Sequence, residues 1–270
     1  KKNMRVLSFS QKFFLSAARS SVPTVRFART FSAFTKNSVG DAGTLEWRMG
    51  FSGKDGPVSP WHDISLVAES DKTLFNYVNE IPKGSRAKME IATKEGLNPI
   101  KQDTKKGKLR FFGYGDMPFN YGCLPQTWED PNEKHESTGY AGDNDPVDVV
   151  EIGDKPLDVG EITEVKVLGI MALIDEEETD WKVIAIRSNH ALASVLHDVH
   201  DLETHLPGTV EAIREWFKMY KTADGKPENS FGFDGNALDR SFTLKVIEET
   251  HASWKALRSG SIPSNGLALK

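Results

Sequence analysis

Three aspartates crowd into one short stretch, Gly142-Asp143-Asn144-Asp145-Pro146-Val147-Asp148-Val149-Val150-Glu151-Ile152. In an extended chain Asp143 and Asp145 point to one side, because strand side chains alternate. Pro146 removes a backbone donor and stiffens the approach to Val147 and Asp148. Asp148 heads an apolar, β-branched run that reads as a buried strand. Carboxylates converging on one spot repel each other at neutral pH, so the cluster persists only around a cation. Hard, oxygen-seeking Mg2+ suits it.

A second acidic stretch, Asp175-Glu176-Glu177-Glu178-Thr179-Asp180-Trp181-Lys182, lies between two expected strands. By composition alone it is a solvated hairpin loop. Asp180 adjoins Trp181, however, and Lys182 begins an apolar run, so this end is anchored. Were Asp175, Asp180 and Lys182 delivered beside Asp143, Asp145 and Asp148, five carboxylates would share a site. That exceeds what one Mg2+ takes and suits several ions sharing ligands.

Cations and hydroxyls supply the other half. Glu80 and Lys83 flank Ile81-Pro82, and Lys88 shares a strand face with Glu90 by alternation. Lys105, Lys106 and Lys108 read as a solvated hairpin. Arg110, framed by Leu109, Phe111 and Phe112, reads either as a surface residue or as the end of a buried strand. In the second case its fork is suited to two phosphate oxygens. Tyr121 in Asn120-Tyr121-Gly122 and the pair Tyr220-Lys221 could face the same oxygens, or be half-buried structural groups.

Positioning these groups requires a mainly β framework. Strands are expected at Ile64–Ala68, Thr73–Ile81, Ala87–Ala92, Lys108–Phe112, Glu161–Ile174 and Trp181–Arg187. Between Gly113 and Gly142 the chain shows no period and reads as a long loop, a length that is usually functional. Val210, Ile213, Phe217 and Tyr220 mark one helical face; Leu238, Phe242, Val246, Thr250, Trp254 and Leu257 mark a second. Strands first and helices later predict an α+β domain, mainly β, with a barrel or curved sheet at its centre. Residues 41–258 form this body, and 259–270 read as a loose C-terminal tail.

Charge separates a leader from the body. Residues 1–40 carry eight Lys or Arg and no acid; the rest has 26 basic and 39 acidic residues, a net of −13. An acidic body argues against nucleic acid as a partner. The leader's Ser, Arg and Phe content predicts a mitochondrial transit peptide, with a plastid address or a disordered basic tail as alternatives. No apolar run reaches the roughly 20 residues of a membrane span. The single cysteine, Cys123, excludes an internal disulfide and reads as a packing or surface thiol.

The chain resembles the family I soluble inorganic pyrophosphatases in their longer eukaryotic form. The resemblance is carried by Asp143 to Asp148, which fits D-x-D-P-x-D, and by Leu97-Asn98-Pro99-Ile100 with the run from Gln102 to Arg110. Asn120-Tyr121-Gly122, Leu124 to Pro131, Leu168 to Leu173, Glu178 to Ala185 and Asp224 to Asn229 also match. It covers roughly residues 45–257. It implies an OB-like five-stranded β-barrel with flanking C-terminal helices, and Mg2+-dependent hydrolysis of diphosphate to two orthophosphates by a metal-bridged hydroxide. It further implies that Asp143, Asp148 and Asp180 hold the activating metals, Asp148 bridging them, and that Asp145 orients or deprotonates the water. Asp175 and Glu80 would hold metals arriving with substrate, and Glu90 would act through bound water. Lys88, Arg110, Tyr121, Lys182, Tyr220 and Lys221 would surround the phosphates, Tyr121 donating on the leaving side. A homodimer is implied as well.

The chain departs from the family at Met117, where a second tyrosine is common, and in a shorter loop at Gly113-Tyr114-Gly115-Asp116. Tyr114 is the nearest replacement hydroxyl. Other readings are weaker. The aspartate loop lacks the Gly and Glu of an EF-hand, an OB-like nucleic-acid binder wants a basic groove, and a catalytically dead scaffold predicts a broken carboxylate set. His197, Asp198, His200, Asp201 and His205 resemble a metal cluster but read more simply as an exposed polar helix.

Overall fold

A computed structural model describes residues 34–270. The strands are β1 (Thr35–Val39), β2 (Arg48–Gly53), β3 (Gly56–Val58), β4 (Phe75–Ile81), β5 (Met89–Ile91), β6 (Ile100–Gln102), β7 (Thr104–Lys105), β8 (Lys108–Leu109), β9 (Asn120–Cys123), β10 (Ala141–Gly142), β11 (Asp148–Glu151), β12 (Ile162–Asp175), β13 (Glu178–Arg187) and β14 (Ser230–Phe231). Helices α1 (Leu202–His205), α2 (Thr209–Met219) and α3 (Arg240–Ser259) follow β13.

Five strands close into a ring. β4 pairs with β9, β9 with β11, β11 with β13, and β13 with β12, which returns to β4. β12 serves three partners, β4, β13 and β14, because it is 14 residues long, and a register shift between Val167 and Gly169 bends it. Gly169 is needed at that bend: a Cβ there would lie 2.6 Å from Leu238 O and from Val199 Cβ. The expected OB-like five-stranded barrel is therefore present. A smaller sheet, β1-β2-β6-β5 with β3 on β2, lies beside it.

From Val167 to Leu173 and from Thr179 to Ile186 every residue is buried. Burial on both faces replaces alternation, since the barrel interior takes one face and packed elements take the other. α3 covers one side through Val246 and Ile247, against Val149, Ile170 and Val183. α2 buries Ile213, Trp216 and Phe217 against a second cluster that includes Ile184 and Phe112. Truncating a side chain such as Ile184 to alanine would cost about 2–5 kcal/mol.

Several expectations are corrected. Residues 35–39, assigned to the leader, form β1 on β2, because Thr35↔Ser52 through Val39↔Arg48 complete a backbone ladder. The rest of the transit-peptide reading of residues 1–40 falls on residues 1–33, which lie outside the described residues. The 259–270 segment is not a loose tail: Leu267 is 5% exposed, and Ala268 N donates to Thr93 O at 2.8 Å. The aperiodic Gly113–Gly142 stretch contains β9 and β10, too short to show a period. Residues 64–68 are irregular, with bends and a single bridge, Val67↔Phe75, rather than a strand. No helix among the described residues is long and apolar enough to cross a membrane.

Candidate active site

β13 is the spine of the site. In-register parallel pairing sets Asp148 of β11 beside Lys182 of β13. Alternation places Asp180 on the same face as Lys182, two residues earlier. The Lys182 ammonium, 2% exposed, donates to Asp148 Oδ2 at 2.6 Å and also to Asp180 Oδ1. The Tyr121 hydroxyl, carried by β9, donates to Asp148 and accepts from Lys182 Nζ at 2.9 Å. The β12–β13 turn is two residues long, with Glu176 at φ 52° and Glu177 at φ 69°. Positive φ at both positions matches the strand twist, and the turn leaves Asp175 at the end of β12. Asp175 accepts from Tyr220 Oη at 2.9 Å and from Lys221 Nζ, just beyond α2.

The stretch Asp143–Asp145 is not extended. Asn144 adopts φ 73°, and Asp143 Oδ1 accepts from Asp145 N at 3.0 Å, an Asx turn. Trp128 Nε1 donates to Asn144 Oδ1 at 3.1 Å. Glu129 clamps the turn from both ends: its N donates to Asp145 O at 3.0 Å, and its O accepts from Asn144 N at 2.9 Å.

A cavity of about 210 Å³ gathers Glu80, Lys88, Glu90, Arg110, Tyr121, Asp143, Asp145, Asp148, Asp175, Asp180, Tyr220 and Lys221. Every site residue expected from sequence thus lines it except Lys182, which lies behind Asp148 and Asp180. Lys88 Nζ lies 2.8 Å from Glu90 Oε2 and 3.4 Å from Asp103 Oδ2. Arg110 Nη1 lies 2.8 Å from the same Asp103 oxygen. Arg110 does not end a buried strand: β8 stops at Leu109 and Phe111 is 55% exposed. Its side chain is oriented by Asp103 instead. Glu80 Oε1 accepts from Ile91 N at 2.7 Å. Cys123 also lines the cavity and is buried. Met117 is buried in the core, and Tyr114 lies outside the lining residues.

The carboxylates are out of balance with their cations. Burial, then the neighbouring Asp180, Asp145 and Asp148, push the Asp143 carboxyl well above its ordinary range. Asp145 touches the cavity's solvent yet is surrounded by protein; burial and the charges of Glu90 and Asp148 raise it to about 7, with Lys88 opposing. Burial and Asp148 raise Asp180 to about 7 despite Lys182. Burial works against the Lys182 ammonium, but Asp148 and Asp180 outweigh it and hold the lysine charged.

Sequence reasoning assigned no role to Glu129 or Asp103, although both fell within stretches that it singled out. Glu129 is 2% exposed, and one of its carboxylate oxygens, Oε2, is buried without a hydrogen-bond partner. Ligand oxygens of Glu129, Asp143 and Asp180 lie within 4.8 Å of one another. An orphaned oxygen and several carboxylates with raised proton affinity, Lys182 being bonded to Asp148 and Asp180, fit hard divalent cations. No periodicity marked Glu129, since its segment is an irregular loop. The His197–His205 group is not such a site. Asp201 Oδ2 accepts from His197 N and Asp198 N, and Asp198 Oδ2 accepts from Arg240 N, so the carboxylates are spent on backbone.

A carboxylate wall and a set of fixed cations sharing one cavity define a site for divalent metal and a polyanion on an OB-like barrel. A family model described as inorganic pyrophosphatase matches residues 77–255. The chain is 53% identical to the inorganic pyrophosphatase of Zygosaccharomyces bailii over 242 residues, 87% of this chain and 84% of that one. It is 50% identical to the Candida albicans inorganic pyrophosphatase, covering 88% and 84%. Among solved structures, the recombinant inorganic pyrophosphatase of T brucei brucei superposes with a TM-score of 0.83 at 42% identity, covering 87% of this chain and 72% of that one. An N-terminally truncated vacuolar soluble pyrophosphatase of Trypanosoma cruzi, in complex with PPi, gives a TM-score of 0.81 at 43% identity, covering 93% and 100%. The chain belongs to the inorganic pyrophosphatase family.

Proposed function

We propose that the protein hydrolyses inorganic diphosphate to two orthophosphates with Mg2+. The observation that carries this reading is the single cavity in which Asp143, Asp145, Asp148, Asp175 and Asp180 meet Lys88, Arg110 and Lys221. Asp143, Asp148 and Asp180 would hold activating metal, with Glu129 beside them. Asp175, Glu80 and Glu90 would receive ions that arrive with substrate. When bound, Mg2+ supplies charge neutralisation and a lowered pKa for water.

The chain's own groups then bind and orient. Arg110, Lys88, Tyr220 and Lys221 take up the charge of the phosphate oxygens, Lys182 acts from behind Asp148 and Asp180, and Asp103 holds Arg110 and Lys88 in one orientation. Asp145 accepts the proton from water as oxygen attacks phosphorus and the bond to the bridging oxygen breaks. No ion pair engages Asp145 among the described residues, whereas Lys182 ties up Asp148 and Asp180. Tyr121, whose single hydroxyl proton goes to Asp148 in the metal-free protein, would exchange that partner to donate on the leaving side. Little covalent chemistry falls to side chains, because positioning and charge stabilisation dominate phosphoryl transfer.

Phosphate release from diphosphate with Mg2+ tests this. Asp145→Asn is expected to lower kcat about 10²–10⁴-fold, the usual span for loss of a general base. Near wild-type turnover with unchanged metal dependence would overturn the assignment. Family resemblance also supports a homodimer, checked by sedimentation. The acid-free, Arg-rich sequence of residues 1–33 supports a mitochondrial address, checked by localising a reporter fused to them.

A further inference from the structure

Residues 264–270 lie along the turn that follows β5. Ala268 N donates to Thr93 O at 2.8 Å, and Leu97 N donates to Lys270 O at 2.9 Å. Ala268 O accepts from Asn98 Nδ2 at 3.0 Å and lies 3.1 Å from His62 Nε2. Trp254 Nε1, a donor only, lies 2.9 Å from His62 Nδ1. His62 Nδ1 therefore accepts, and Nε2 carries the proton that it donates to Ala268 O. Leu267 anchors the segment in the core.

The turn needs this support. Leu97 and Asn98 adopt consecutive left-handed conformations, φ 61° and 43°. Strained residues of this kind persist only where their surroundings over-determine them. Asn98 is fully buried, its Oδ1 accepting from Ser59 Oγ at 2.7 Å and its Nδ2 reaching Thr93 O at 3.3 Å. Thr93 O thus takes hydrogen bonds from both Asn98 and the C-terminal segment. At the other end of the same residue, Thr93 Oγ1 lies 3.5 Å from Asp145 Oδ1.

We propose that Thr93 is a positioning residue for Asp145, held in place by the docked segment 264–270. Its hydroxyl fixes one carboxylate oxygen of Asp145 and leaves the other for the attacking water. The contact is long, so its contribution is orientation more than strength. The proposal rests on Asp145 being the proton acceptor.

The test measures kcat, KM for diphosphate and thermal melting for Thr93→Val, Thr93→Ser, Ala268→Pro and Asp145→Asn, singly and combined. Thr93→Val is expected to lower kcat about five- to tenfold at unchanged KM, the size expected of a small misplacement. Thr93→Ser keeps the hydroxyl and should retain kcat within about twofold. Ala268→Pro removes the N–H given to Thr93 O; it should lower kcat like Thr93→Val and add nothing to it. Neither change should lower kcat further in Asp145→Asn. Wild-type kcat in folded Thr93→Val, with Asp145→Asn inactive, overturns the positioning role and leaves the proton acceptor standing. Full activity in Asp145→Asn overturns the proton acceptor itself. Should Ala268→Pro unfold, the Thr93 pair still decides the matter.

Discussion

Lys182 Nζ lies 2.6 Å from Asp148 Oδ2 in the wall of the barrel, where neighbouring parallel strands set the two residues side by side. The same ammonium donates to Asp180, so one buried cation serves two carboxylates without metal. Removing one partner of a buried ion pair leaves an uncompensated charge. Lys182→Met is therefore expected to destabilise the metal-free protein at pH 8 by about 3–5 kcal/mol. Mg2+ should restore part of that loss. Denaturant melts with EDTA and with Mg2+ check this, and equal stability of variant and wild type in EDTA would refute it.

Proton linkage gives a second expectation. Asp145 and Asp180 sit at about 7 in the folded, metal-free protein, against roughly 3.9 in an unfolded chain. Between those values the folded state binds more protons, so stability falls as pH rises through the window. Below about pH 4 the penalty is absent, and above about pH 7 it is complete. Asp145→Asn lacks its share of the penalty. In EDTA its melting temperature should gain on wild type between pH 4 and pH 7. A pH-independent difference would contradict the shift.

Gly142 bears on metal affinity. A Cβ there would lie 2.6 Å from Glu129 O and closer still to Glu129 C. Backbone cannot yield that distance locally, so Gly142→Ala should push the Asp143–Asp145 turn away from Glu129. The Mg2+ concentration for half-maximal activity is expected to rise about 10–100-fold, as when a metal site loses its support. Calorimetric Mg2+ titration measures this without turnover, and unchanged affinity would count against the clamp.

Arg110 tests the substrate side. Its Nη1 is fixed on Asp103, which leaves the remaining donors of the fork for phosphate. Arg110→Lys keeps the charge and loses the fork. We expect KM for diphosphate to rise about tenfold, equivalent to about 1.4 kcal/mol. Unchanged KM would remove Arg110 from the substrate contacts.

Much of the framework was legible because hydrophobic pattern and chain order record it. The hairpin of β12 and β13 was visible as two apolar runs around an acidic turn, and α2 and α3 as 3.6-residue stripes. Legibility failed where segments were short or irregular. β9 and β10 have four and two residues, too few to display a period. Alternation makes the Asp143–Asp145 stretch read as extended, whereas Asn144 in a left-handed conformation and a side-chain cap decide its path. The docking of residues 264–270 was hidden because its hydrogen bonds are largely backbone, and backbone groups are the same in every sequence.

By itself the sequence determined the chemistry on offer: the aspartates of two stretches, the basic and tyrosine groups for a polyanion, and the strand and helix pattern that carries them. Residue type fixes charge and donor capacity, and periodicity fixes which face a side chain takes. Only the tertiary structure decided that Lys182 stands between Asp148 and Asp180, that Glu129 joins Asp143 and Asp180, and that Thr93 reaches Asp145. Those distances arise from strand register and loop closure between segments far apart in the chain, and no local pattern encodes them.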